Sequence, residues 1–142
     1  MRTTFIDTSA FVALVDRKDR NHLAAKRTLK SLAQKRTPLV TSTYVVDEVI
    51  TLLRMRLGHG IAVRAGDALL ASRMCRLLEV DAGTRDSAWH IFVRYADQTF
   101  SFTDCTSFAL MRALESNEAF TFDRADFSAA GFAVIPTEGR RR

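Results

Sequence analysis

Short apolar runs alternate along the chain with longer stretches in which apolar residues return every three or four positions. This pattern predicts an α/β domain built on a mostly parallel sheet. Residues 3–6, 38–41, 77–80, 119–122 and 133–135 read as four to five short strands. Pro38 opens the second, where a strand tolerates proline, and Pro136 closes the last. The helical period covers residues 8–15, 22–34, 43–57, 61–74, 84–96 and 103–114. Thr43 is placed to cap the third of these helices and Gly58 to end it. Leu23, Ala24, Leu29 and Leu32 share the apolar side of the second helix. Trp89, Phe92, Val93 and Ala96 share that of the fifth, so Trp89 is expected in the core, as are the phenylalanines at 120, 122, 127 and 132. No repeat or linker interrupts the pattern. Residues 1–136 therefore form one expected domain, and 137–142, which end in three arginines, an expected disordered basic tail.

Length and composition agree with one domain: 142 residues, 47% hydrophobic, suffice for a single core without staples. The apolar stretch at 11–15 is too short for a signal peptide and no run approaches a membrane span. A soluble cytoplasmic protein without membrane contact is expected. Cys75 and Cys105 are too few for a disulfide framework and lack neighbours at zinc-ligand spacing, so both are expected as buried thiols. The three histidines are scattered.

The net charge of +5 suits a polyanionic partner. Its distribution says more than its sum. Residues 1–36 carry nine Lys or Arg against three acids, whereas residues 97–126 carry six acids against two bases. A basic protein that gathers carboxylates in one segment has a use for them, and cation binding is the simplest.

Open α/β sheets bind ligands at the carboxyl ends of their strands. Asp7 follows the first expected strand and Asp123 the fourth; Glu48 lies early in the helix after the second, and Asp104 opens the helix before the fourth. One acid at a helix start is usually a cap or a partner of the helix dipole, and Asp81 and Asp86 are read that way. Glu48 instead falls on the stripe of Tyr44, Val45, Leu52 and Met55, and Asp104 shares a face with Phe108 and Met111. A carboxylate on an apolar stripe is costly unless something pairs with it. Inward acids without inward Lys or Arg repel one another, and Mg²⁺ or Mn²⁺ relieves that repulsion with oxygen ligands. An acidic, metal-loading pocket in a cationic surround points to hydrolysis of a nucleic acid.

Four segments carry a family resemblance: FIDTSAFVAL (residues 5–14), TYVVDEVITLL (43–53), SFTDCTSFALM (101–111) and AFTFDRADFSAAGFAVIP (119–136). In this order and spacing they resemble the PIN-domain family, and in length and layout its VapC-type toxin subgroup. The resemblance implies a PIN-like α/β/α sandwich and an endoribonuclease that requires Mg²⁺ or Mn²⁺. By position Asp7, Glu48 and Asp104 match the three core acids and Asp123 the fourth, with Asp126 competing for that last role. Thr8, in preference to Ser9, and Thr121 match positions where the family places a hydroxyl near the metal. One turn beyond Asp104, where some relatives carry another acid, stand Ser107 and Phe108, so one or two ions remain open. An RNA substrate, a small VapB-type antitoxin laid across the groove with an arginine toward the acids, and a homodimer are implied as well. The exposed faces of helices 43–57 and 61–74 are candidate surfaces for them.

Other readings fit less well. A haloacid-dehalogenase-like phosphatase needs a second acid two residues after Asp7, where Ser9 stands. A receiver domain needs an acidic pair and a late lysine, and no lysine follows Lys35. A noncatalytic nucleic-acid-binding or scaffolding domain gains nothing from carboxylates facing phosphates, and a stand-alone RNA-processing nuclease would share the chemistry without the antitoxin. For the basic segment 17–36, RNA contact and a solvated helix face are equally open.

Overall fold

The computed structural model describes residues 2–137; the tail expectation for 138–142 falls outside the described residues. Five strands, β1 (Thr4–Ile6), β2 (Leu39–Ser42), β3 (Arg76–Leu78), β4 (Glu118–Phe120) and β5 (Ala133–Ile135), form one sheet in the order β3-β2-β1-β4-β5. Every neighbouring pair is parallel. Seven helices connect and flank them: α1 (Thr8–Val15), α2 (His22–Gln34), α3 (Thr43–Leu57), α4 (His59–Leu70), α5 (Ala82–Arg94), α6 (Phe102–Ala113) and α7 (Arg124–Ala129). None is long and apolar enough to cross a membrane among the described residues. The chain winds outward from β1 to β3 and then restarts on the other side of β1 with β4. A crevice opens where the winding reverses, at the carboxyl ends of β1 and β4.

β1 is central and buried along its whole length, which is why its three residues need no polar alternation. Beside it, Phe108 meets Phe100 and Phe127 edge-on, with centroids 5.0 Å apart, and stacks on Phe132 at 5.7 Å. Offset and edge-on rings add to the burial of area itself. This wedge ties α6, α7 and the entry to β5 into one body. Phe120 is buried with it and Phe122 half-buried. Cys75 and Cys105 are buried and free, and burial pushes both thiols up to about 11.

Several boundaries differ from the sequence reading. Ser42, not Thr43, caps α3: it keeps an extended backbone and its Oγ accepts the Val45 N–H at 3.2 Å. α4 stops at Leu70 because Ser72 adopts a left-handed φ of 54°, and its Oγ accepts the Leu77 N–H of β3. Asp81 caps α5 two residues earlier than expected, accepting the Thr84 N–H at 2.8 Å. That bond holds its carboxyl below the usual range. Trp89 is not core: it is 55% exposed, and Phe92 and Val93 are exposed beside it. α5 buries Ala88 and Ile91 instead, since a small residue lets the backbone approach α6 more closely than an indole does. Likewise α2 buries Ala25, Thr28 and Leu32 while Leu23 faces solvent. α7, a helix of six residues, has no counterpart among the expected helices.

Candidate active site

A cleft of ≈ 420 Å³ occupies the crevice. Asp7 enters it directly from β1. Its backbone N–H donates to Phe120 O of β4 at 3.0 Å, so the two central strands are pinned together where the acid leaves the sheet. Its side chain makes no cap bond to α1. Instead Oδ2 accepts from Thr121 Oγ1 at 2.8 Å and from Ser9 Oγ at 3.3 Å. Ser9 Oγ in turn takes the Phe122 N–H at 2.8 Å, and Thr121 Oγ1 takes the Asp123 N–H at 3.0 Å. Two hydroxyls thus lock the start of α1 to the segment after β4. β4 ends at Phe120, two residues sooner than expected: the Thr121 N–H still reaches Ile135 O of β5 at 3.1 Å, but the Thr121 hydroxyl and the Phe122 N–H are spent on this turn. Asp123 therefore sits past the turn as N-cap of α7, with no side-chain cap bond.

Asp104 reaches the cleft from the first turn of α6. It closes a capping box with Ser101: the Asp104 N–H donates to Ser101 Oγ at 2.9 Å, and Asp104 Oδ2 accepts the Ser101 N–H at 3.0 Å. The cap and the site are two uses of one side chain, with the box fixing its rotamer. Glu48 arrives from α3, whose buried face is Val45, Val46, Val49 and Leu53. Of the stripe expected to be buried, Val45 is, whereas Tyr44 and Leu52 are half-buried and Met55 is exposed. Glu48 and Leu52 line the cleft.

Asp126, in the first turn of α7, accepts a 3.3 Å bond from Thr99 Oγ1. Carboxylate oxygens of Asp104, Asp123 and Asp126 all lie within 4.8 Å of one another. Asp123 and Asp126 thus do not exclude each other; both line the cleft. Among the described residues the sole ion pair joins Arg56 to Asp19 at 3.9 Å, so these acids have no paired cation.

The electrostatics register that absence. Burial pushes Asp7 up to about 6; the Thr121 hydroxyl and Thr8 backbone pull it partly back, while Asp123 and Glu48 add to the rise. Asp104 is also pushed to about 6 by burial, opposed by the Ser101 N–H and reinforced by Asp7 and Asp126. Asp123 reaches about 6 through burial, then the charges of Asp126, Asp104 and Glu48. Buried carboxyls that repel one another and have no paired cation favour the binding of a cation.

The donor set suits a hard divalent cation, being all oxygen and mostly carboxylate. Thr8 gives a second indication: its Oγ1 is buried on the cleft without a hydrogen-bond partner among the described residues. Between the two hydroxyls weighed from the sequence, Ser9 is the one bonded to Asp7, and Thr8 the one left open. Ser101 and Thr99 were not singled out. The Ser-x-x-Asp spacing of a capping box does point to Ser101 in the sequence; nothing local points to Thr99.

A parallel sheet with its acids gathered at the switch point is the frame of a carboxylate-based hydrolase. The chain belongs to the PIN-domain family, whose model matches residues 4–133. It is 41% identical over 134 residues to the 23S rRNA-specific endonuclease VapC20 of Mycobacterium tuberculosis, covering 94% of this chain and 98% of that protein. The crystal structure of VapC20, described as a Sarcin-Ricin loop cleaving toxin, superposes with a TM-score of 0.83 at 40% identity over 92% of this chain and 97% of that one. Ribonuclease VapC26 of the same organism is 32% identical over 137 residues, 92% of this chain and 98% of the relative. At 12% identity, the DNA-bound VapBC complex of Salmonella typhimurium shares the fold, with a TM-score of 0.71 over 94% of this chain and 97% of that one.

Proposed function

We propose that this chain is a divalent-metal-dependent endoribonuclease that hydrolyses RNA phosphodiester bonds as the toxin of a type II toxin-antitoxin pair. The observation that carries the reading is the convergence of five carboxylates, Asp7, Glu48, Asp104, Asp123 and Asp126, on one cleft, none of them ion-paired among the described residues, since the cleft's Arg56 faces Asp19 instead. Such a set is costly to keep ionised and gains from a bound cation. Asp7, Glu48, Asp104 and Asp123 are assigned the metal-holding and catalytic roles, with Asp126 beside them, and Mg²⁺ or Mn²⁺ is the ion. When bound, it supplies Lewis acidity toward water and phosphate and offsets charge on the departing oxygen. Thr121 and Ser9 hold Asp7 in one orientation, and Ser101 does the same for Asp104. Burial of these acids keeps bulk water from screening them. No side chain in the cleft is required as a nucleophile, so water is the attacking group.

The likeness to VapC20 makes 23S rRNA the first substrate to try. Purified protein is incubated with 23S rRNA and with a mixed RNA pool, in Mg²⁺ or Mn²⁺ and in chelator, with Asp7→Asn alongside wild type. Cleavage is expected only for wild type with metal; undiminished cleavage by the variant, or in chelator, overturns the reading. The same reading assigns a small VapB-type antitoxin and a homodimeric state. Co-purification with the product of an adjacent short reading frame tests the first, and light scattering on the isolated chain the second.

A further inference from the structure

A second groove of ≈ 650 Å³ lies between the turn after α1 and the junction of α3 with α4. Its floor is aliphatic, from Val15, Leu57 and Ile61, and its cations are Arg17, Lys18, Arg56 and Arg64. One acid, Asp16, belongs to it, and Asp16 Oδ1 is already occupied by the Lys18 N–H at 3.0 Å. Arg56 lines both this groove and the acid cleft. Its contact with Asp19 is loose: at 3.9 Å, with the guanidinium 49% exposed, it is beyond hydrogen-bond length and leaves the arginine's donors available.

We propose that this groove holds the phosphate backbone of the RNA strand, with Arg56 at the passage from the cationic groove to the acid cleft. The inference rests on the nuclease reading and adds where the strand runs. Carboxylates cannot hold a polyanion, so grip on the strand has to come from outside the cleft, and the groove that shares Arg56 with it carries four cations against one acid. Arginine suits the task through its planar set of donors. The outer face of α2 offers no such continuity: Lys26 and Lys30 are exposed there and line neither cavity. Within the basic segment, Arg17 and Lys18 are thereby assigned to RNA and Lys30 to the solvated face.

The test is binding of a short fluorescein-labelled single-stranded RNA in chelator, where no cleavage occurs, read by anisotropy across a salt series. Each lost phosphate contact makes the plot of log affinity against log salt shallower by about 0.7 for a single strand. The double variant Arg17→Ala/Arg64→Ala should therefore flatten it by about 1.4, and Lys30→Ala should leave it as in wild type. A double variant with the wild-type slope overturns the proposal. So does a wild-type protein that fails to bind the RNA, or a double variant that binds RNA normally but loses a glutamate-rich helical peptide, which assigns the groove to a protein partner. Metal-dependent cleavage by wild type is scored separately, so a failed groove and a failed nuclease reading give different results.

Discussion

Acids stand at both ends of the central strands, in opposite company. At the start of β4, Glu118 shares a groove with Arg2, Arg27 and Lys35 and takes a 3.4 Å bond from Thr4 Oγ1. At the far end of the same strands, Asp7, Asp104 and Asp123 face one another, and each is pushed up to about 6. A sheet of three-residue strands separates the two settings. The amino end sets a single carboxylate among cations of the chain itself, without an ion pair among the described residues. The carboxyl end gathers carboxylates that repel one another, a repulsion relieved by protons or by a bound cation, and that difference distinguishes a structural acid from one kept for chemistry.

Removing one acid from each end gives the largest contrast. Asp7→Asn should lower metal-dependent RNA cleavage on the order of a hundredfold to a thousandfold, whereas Glu118→Gln should stay within about twofold; equal losses measured in a cleavage assay would erase the distinction.

Stability without metal comes next. The folded value for Asp7 lies above its ordinary 3.8, so between the two the unfolded chain binds fewer protons and stability falls as pH rises. Its contribution is most favourable below about pH 4 and is lost through about pH 6, on the order of 3 kcal/mol for a shift of about two units. Denaturant titrations in chelator should show this decline in wild type and in Glu118→Gln, and a shallower one in Asp7→Asn. A third, slightly smaller effect is the reverse: Mg²⁺ or Mn²⁺ at about a hundred times its dissociation constant should stabilise wild type by about 2.7 kcal/mol. A melting curve unmoved by either ion would mean that the carboxyl end holds no cation. The smallest effect falls on the cap. Ser101→Ala should cost about 1 kcal/mol and free Asp104 to turn, so cleavage should drop more than stability does.

Much of this was legible because it depends on local order. Asp7 follows an apolar strand and precedes a helix, and both bounds of α1 and α2 and the Gly58 stop of α3 follow from period and punctuation alone. The five strands alternate with helices, which fixes a parallel sheet. What escaped the sequence depends on the neighbour an element meets. α5 has two faces with helical spacing, Trp89–Phe92–Val93 and Ala88–Ile91; the heavier one looks like core, yet close approach to α6 selects the lighter. Ser9 and Thr8 are adjacent, and which hydroxyl meets Asp7 is set by the phase of α1 against Thr121, 112 residues away from Ser9. The end of β4 depends on the same lock. Thr99 reaches Asp126 across 27 residues, with no pattern in either segment to announce it.

The bond from Thr121 to Asp7 spans 114 positions, and this separation governs when the site can exist. A chain made from its amino end carries Asp7 and Glu48 from early on, but neither has its partners until the segment after β4 has left the ribosome and docked. Domains fold as units once their parts are available, so the acids meet only after the segment following β4 has been made. Before that segment docks, Asp7 and Glu48 are present in the chain but not yet a site, and the two halves of the cleft become one only through long-range contact.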